Sequence, residues 1–260
     1  MLLKKNITLV LIILLSSFNI FAEKNKGLEI AIMADSNISG FIDSRSQMKM
    51  LLKNKKGQIT ERSMRSKIME VEGDGDKSLI VFETPRDVRG IAVLGYAHKT
   101  ETDDQWLYMP ALKRVKRIVS KNRSGPFLGS EFSLEDLSFQ EIEKFSYRYI
   151  GEELLDGKDC YLIERTPLDP YSGYTKQKVW IEKENYLTLK IEHYDRKFSH
   201  LKTQYFRGFN KYLNKFWRPS EIEMINHQTN KSTTLLMEDM VFQNGYTEKD
   251  FSQNSLKRSK

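Results

Sequence analysis

Asp103-Asp104-Gln105-Trp106-Leu107-Tyr108-Met109-Pro110-Ala111-Leu112-Lys113-Arg114-Val115-Lys116-Arg117-Ile118 reads as an aromatic-rich strand that runs through a proline into a second strand studded with cations. Proline has no amide to give to a ladder, so Pro110 marks the joint between the two. The same alternation of strand and turn extends to both sides. Upstream, Met48, Met50 and Leu52 alternate with Gln47, Lys49 and Leu51, and Asn54 to Gly57 supplies a polar turn. Residues 58 to 72 form a long second strand, Gly73-Asp74-Gly75-Asp76 another turn, and Ser78 to Phe82 a third strand.

Downstream, Asp156-Gly157 separates Ser146 to Leu154 from Lys158 to Thr166, and Glu184-Asn185 separates Gln177 to Lys183 from Tyr186 to Tyr194. Both are hairpin turns by composition. Further strands fall near Thr203 to Phe209, Phe216 to Asn226 and Ser232 to Val241, with His227 to Lys231 as the last turn. The count is roughly eleven to thirteen strands, joined as an antiparallel meander. Two segments break the pattern. Leu28, Ala31 and Ile32 lie at helical spacing within Gly27 to Ala34, which predicts one opening amphipathic helix. Between Ser120 and Glu143, Asn122 to Pro126 is a polar loop, and Ser133-Leu134-Glu135-Asp136-Leu137 reads as a helix start with Ser133 as N-cap.

Residues 1 to 22 have the form of a secretory leader: Lys4 and Lys5, an apolar run from Ile7 to Leu15, and Ala22 before the cleavage point. Export to the periplasm is the expectation, with residues 23 to 260 as one domain, since no linker or repeat divides them. No cysteine near residue 22 offers a lipid anchor. Cys160 stands alone and reads as a small apolar strand residue. Loss of Lys4 and Lys5 lowers the formal charge from +7 to +5, mild enough to suit work beside anionic membrane surfaces.

Motifs for catalysis are sparse. His98, His193, His200 and His227 lie on separate predicted elements and match no metal-ligand spacing. No Gly-x-Ser-x-Gly elbow occurs, and no cofactor motif survives inspection. Lys77-Ser78 follows the glycines as in a phosphate loop, yet a strand follows where a helix is needed. An EF-hand loop counted from Asp74 ends on Pro85 instead of Glu.

Alternation along the cationic strand sends Arg114 and Lys116 to one face and Lys113 and Arg117 to the other. These four either solubilise an edge strand or meet anionic head groups or an acidic transporter surface. Nucleic acid is disfavoured by export and by the modest charge. Of the ten methionines, Met48, Met50, Met109 and Met224 fall on predicted strands, where flexible thioethers suit either an acyl-chain pocket or ordinary core. Trp106, Tyr108, Phe127 and Trp180 are candidates for the rim of such a pocket, or for plain sheet packing.

A sheet of so many strands must close, curl or split, because flat open sheets expose edges. Past about eight strands a closed interior is wider than side chains fill, so helices must plug it. The opening helix and the Ser133 helix are the plugs on offer, and what they leave empty is an apolar pocket.

The Asp103 to Ile118 stretch, with Glu72-Gly73-Asp74-Gly75-Asp76-Lys77-Ser78-Leu79-Ile80-Val81-Phe82, Pro85-Arg86-Asp87-Val88-Arg89-Gly90 and Gly129-Ser130-Glu131-Phe132, resembles the periplasmic outer-membrane lipoprotein-sorting proteins with a LolA-like fold. That resemblance runs across most of the mature chain. It implies a mainly β (α+β) fold, an incomplete antiparallel barrel of about eleven strands around a helical plug and lid. It also implies a non-enzymatic carrier of lipid or lipoprotein acyl chains, working between envelope membranes or with a membrane exporter. No catalytic residue transfers from it. Residues 122 to 137 are the expected lid. The alternatives are an exporter adaptor without lipid cargo and, further off, an envelope lipid hydrolase.

Overall fold

The computed structural model describes residues 23–258, so the leader expected over residues 1–22 lies outside the described residues. Thirteen strands form one antiparallel sheet: β1 (Asp43–Lys53), β2 (Ile59–Met69), β3 (Lys77–Thr84), β4 (Ala92–Tyr96), β5 (Asp104–Met109), β6 (Arg114–Ile118), β7 (Phe145–Leu155), β8 (Lys158–Pro167), β9 (Tyr174–Glu182), β10 (Thr188–Asp195), β11 (His200–Tyr212), β12 (Phe216–Asn226) and β13 (Lys231–Phe242). Their order is β6-β5-β4-β3-β2-β1-β13-β12-β11-β10-β9-β8-β7. Sequence neighbours pair throughout, apart from the β1–β13 seam that joins the two halves. β6 and β7 are therefore the two edges, the sheet is open, and residues 119–144 cross from one edge to the other.

Thirteen strands lie at the upper end of the eleven to thirteen read from the turns and correct the figure of about eleven that the resemblance implied. The strand without a signal is β4: Ala92, Val93 and Leu94 are all buried, so it has no polar face to alternate with. Turn chemistry was more legible. Asp156 and Gly157 take φ of 49° and 82°, the paired positive values of a two-residue hairpin turn that matches strand twist.

Each face of the sheet is covered separately. On one face, the helix α1 (residues 23–36) lays Ile30 and Ala31 against Tyr147, Ile163, Val179 and Ile191. Gly27 permits this approach, because a Cβ there would sit 2.8 Å from the Arg148 carbonyl carbon. On the opposite face, the C-terminal helix α2 (Gln253–Arg258) and the turn before it press Leu256 and Phe251 onto Leu79, Val81, Leu94 and Tyr108.

The helix expected at Ser133 is one turn only. Its cap chemistry is present: Ser133 Oγ donates to Asp136 Oδ2 at 2.8 Å, and the Asp136 amide donates back to Ser133 Oγ at 3.1 Å. Leu137 N–H reaches Ser133 O at 3.2 Å, Ser138 N–H reaches Glu135 O at 3.4 Å, and there the helical bonding stops. The Glu135 and Asp136 carboxylates are drawn into bonds with distant strands instead of facing water along a helix.

Candidate functional site

Cross-strand register builds a methionine floor. Met48 pairs with Met64 and Met237, Met64 with Phe82, and Met50 with Leu235, so these side chains share one face. Met224, paired with Thr233, joins them. Met50, Met64 and Met224 are 1%, 2% and 0% exposed, and no strand covers them. The cover is the crossover. Phe127, Phe132 and Leu134 descend from it onto the floor, with the Phe127 ring 6.1 Å from that of Phe82.

The crossover makes this contact with a small hairpin that we call the tongue, residues 126–133. Pro126 and Ser133 form an isolated bridge, and the Phe127 amide donates to Phe132 O at 2.8 Å. Its turn runs from Phe127 to Ser130, with Leu128 and Gly129 both at positive φ, 51° and 76°. A leucine in the left-handed region is an uncommon choice, held by its surroundings and not by preference. One of those holds is direct: Arg62 Nη1 donates to Leu128 O at 2.8 Å.

Polar grips fix the remainder of the crossover. Arg123 spans Asp103 at 2.9 Å and Asp169 at 2.7 Å, and Lys144 also pairs with Asp103. Asn226 donates to Glu131 Oε2 at 2.7 Å, while the Glu131 amide donates to Thr233 Oγ1 at 2.9 Å. Glu135 accepts from Ser172 and from the Gly173 amide. Gln105 Nε2 donates to Leu134 O at 3.1 Å.

Asp136 is the most enclosed member. Lys202 Nζ lies 3.3 Å from its Oδ2, and Tyr174 donates to Oδ1 at 2.7 Å. The side chains of Lys202 and Asp136 are 5% and 2% exposed. Burial alone would raise the Asp136 carboxyl, but Lys202 and the bonds from Tyr174 and Ser133 hold it below the usual range. His193 itself is pushed down to about 4, by burial first and by Lys202 and Arg165 besides. It stays neutral between Gln177 and Gln204, at 3.0 and 3.3 Å.

Three buried polar atoms along these grips have no hydrogen-bond partner: Arg62 Nε, Gln105 Oε1 and Arg123 Nε. All three side chains hold the crossover, so its seat is incompletely satisfied, which costs stability. A cleft of about 250 Å³ opens beside Arg123 and Glu135, between Phe139, Phe145 and Pro170. A groove of about 470 Å³ lies on the opposite face, between Arg65, Val81 and Lys249. Neither lies on the methionine floor, which the tongue occupies.

Of the residues singled out for a pocket, Met48, Met50, Phe127 and Met224 come together here. Trp106 and Tyr108 do not. They alternate with Leu107, which packs toward the floor, and so face the C-terminal helix with Leu94 and Phe251. Trp180 likewise leaves the face of Val179 and packs on Cys160 and Leu162, its indole donating to Glu153 at 2.8 Å. Met109 ends β5, paired with Arg114 at the sheet edge. Among the cations, Arg114, Lys116 and Arg117 are exposed on the edge strand β6, where Arg117 pairs with Asp104. Lys113 is not on the strand: it turns the chain at φ 50° before β6 begins.

Sequence reasoning missed the tongue phenylalanine Phe132 and the Asp136–Lys202–His193 group. Among the described residues no three His, Cys, Asp or Glu side chains converge as metal ligands.

The crossover closes against Gly173, where a Cβ would lie 2.8 Å from Ser124 Cβ. Gly173→Ala is therefore expected to cost about 1–3 kcal/mol, read from urea unfolding. Limited proteolysis should then cut within residues 119–144, and an unchanged midpoint and cleavage pattern would contradict the close contact.

A family model described as "uncharacterized protein" matches residues 74–258. The chain is 51% identical to an outer membrane lipoprotein-sorting protein domain from Vibrio parahaemolyticus, with TM-score 0.88, covering 90% of this chain and 100% of that one. It is 28% identical to a DUF1329 family protein from Desulfovibrio piger, with TM-score 0.85 and coverage of 90% and 99%. A LolA superfamily protein from Nitrosomonas europaea shares the fold at TM-score 0.69 and 20% identity, with coverage of 87% and 97%. A search among curated proteins finds no match. An open antiparallel sheet crossed by a single loop, and identity of this degree over 90% of the chain, place the protein in the outer-membrane lipoprotein-sorting protein family with a LolA-like fold.

Proposed function

We propose that the protein is a periplasmic carrier, and that the tongue keeps the place of an acyl chain on the methionine floor until cargo displaces it. The supporting observation is that Phe127, Phe132 and Leu134 from a loop, and no element of the sheet, cover Met48, Met50, Met64 and Met224. Thioether side chains adapt to irregular apolar partners, so the same floor accepts either occupant. The 51% identity to a lipoprotein-sorting protein domain from Vibrio parahaemolyticus supports cargo of lipid or lipoprotein type.

Magnitudes favour exchange. Withdrawing two phenylalanines from burial forgoes roughly 1.5–3 kcal/mol each, while each acyl methylene brings about 0.8 kcal/mol. A chain of roughly four to eight methylenes balances the tongue by that measure, so the longer chains of membrane lipids outcompete it. The tongue also sets release: a returning Phe127–Phe132 pair competes with cargo, and apparent affinity scales with the fraction of open protein.

A disulfide between Glu131→Cys and Thr233→Cys, positions already joined by a 2.9 Å hydrogen bond, would pin the tongue shut. The oxidised protein is expected to bind a fluorescent fatty acid at least roughly tenfold more weakly than the reduced one, a gap of about 1.4 kcal/mol. Equal binding in both states would overturn the tongue as gate. Mass spectrometry of lipid extracted from natively purified wild type tests the carrier reading itself.

The exposed cationic edge β6 favours a second reading, a docking face for a membrane exporter or an anionic membrane surface. Arg114→Glu with Lys116→Glu would weaken vesicle or exporter capture while leaving fatty-acid binding unchanged.

A further inference from the structure

Two histidines that the carrier reading leaves unused share one target atom. His200 opens β11, and His227 follows the last residue of β12, its amide held to Leu201 O at 2.9 Å. Thr203 Oγ1 lies 3.0 Å from His200 Nε2 and 2.8 Å from His227 Nε2. The ring centroids are 4.3 Å apart and the planes tilted by 43°.

A hydroxyl has one proton to donate. Thr203 therefore donates to one imidazole and accepts from the other, so one Nε2 carries a lone pair and the other its hydrogen. Release of that hydrogen to Nδ1 leaves two lone pairs directed at one small volume. The sheet fixes the spacing: Thr203 is 2% exposed and locked in register between Glu192 and Ile225. His227 is exposed, so water reaches the outer side. Thr203 alternates with Lys202 and Gln204, which places the pair on the face away from the tongue.

We propose that His200 and His227 form a two-imidazole chelate for a late first-row divalent ion, with Cu(II) bound most tightly. Imidazole nitrogens suit copper, nickel and zinc, and copper leads that order of affinity. Nitrogen–metal distances of about 2.0–2.1 Å require each ring to turn off the Thr203 hydroxyl, so that the ion sits between the two Nε2 atoms and beside Oγ1, in place of the two hydrogen bonds. Glu192 stands opposite Thr203 in register, with its carboxylate engaged by Lys190 at 2.7 Å and by Tyr194 at 3.0 Å. Its negative charge favours a cation at the pair without being a ligand. Two protein donors leave the remaining positions to water, which makes the site exchangeable in character and unlike a structural four-ligand centre.

The test is calorimetric titration of the untagged chain with CuCl2 in a weakly coordinating buffer, with electron paramagnetic resonance of the loaded protein. Wild type is expected to take up one ion whose spectrum shows coupling to two imidazole nitrogens. His227→Gln, at an exposed position that does not endanger the fold, should weaken uptake at least roughly tenfold and remove one nitrogen coupling. His98→Gln, which alters the distant imidazole bonded to Asp74, should change neither. Absence of uptake by wild type, or less than tenfold weakening in His227→Gln, overturns the site.

Discussion

Lys202→Met is expected to destabilise the protein by about 3–5 kcal/mol, because it strips the ammonium from a carboxylate that cannot reach water. Asp136 is 2% exposed at its side chain, and Lys202 at 3.3 Å is its cationic partner. Tyr174 and Ser133 remain as donors, but neutral hydrogen bonds do not replace the lost charge. The damage should concentrate where Asp136 sits. Proteolytic nicking and amide exchange should rise first across residues 119–144, with the strands following only at higher denaturant. Lys202→Met combined with Asp136→Leu removes both charges and should recover most of the loss, since a buried ion pair replaced as a unit is often neutral. A single-variant loss below about 1 kcal/mol, the ordinary value for exposed pairs, would show that the pair is not what seats the crossover.

The second large effect is a pH dependence made of two opposing halves. Asp76 is raised from 3.8 to about 7, by burial first and then by the neighbouring Glu141 and Glu70, with Arg218 acting against them. Its folded form keeps a proton that the unfolded chain releases, so its stabilising contribution is complete below 3.8 and is lost as pH rises through about 7. His193 is lowered from 6.5 to about 4. Here the unfolded chain holds the extra proton, so stability is complete above 6.5 and is lost as pH falls toward 4. Each contributes on the order of 2–4 kcal/mol, with opposite slope over the same interval.

Wild-type stability should therefore change little between about pH 4.5 and 6.5. Asp76→Asn unmasks the histidine, and stability should then fall with acidification by roughly 2–3 kcal/mol. His193→Gln should give the reverse slope. Urea midpoints across that range decide the matter: parallel profiles for wild type and Asp76→Asn would refute the assignment. For the crossover the histidine half matters more, because His193 packs on Tyr174 and pairs in register with Lys202, the two residues that bond Asp136.

How much of this was legible in the chain depends on the range of the interaction. Asp156-Gly157 and Asn54 to Gly57 state their turns locally, through residues that tolerate positive φ, and the strands beside them were read correctly. β4 was not, because a five-residue strand buried on both faces has no alternation to show. The tongue turn at Leu128-Gly129 was hidden for the opposite reason: leucine does not advertise the left-handed conformation that Arg62 and the floor impose on it. Ser133 gave a true cap signal and a false helix, since capping specifies a first turn and nothing after it. The methionines were legible as strand residues, but which of them meet depended on register between distant strands, as did the convergence of Asp136, Lys202 and His193. Trp106 and Tyr108 show the same limit, since their composition suggested a pocket rim and their parity put them on the other face.

The β1–β13 seam sets a schedule for folding. Lys49 and Glu238, which form an ion pair across it, are 189 residues apart, so the two half-sheets mature separately before the last strand zips the first. Closing so distant a contact carries a high entropic toll and makes assembly slow. During that delay both β1 and β13 present unpaired backbone edges, the kind of surface that recruits neighbouring chains. A ribosome- or translocon-stalled fragment ending before Lys231 would be the aggregation-prone species, and a holdase that shields bare strand edges is the helper such a chain needs most.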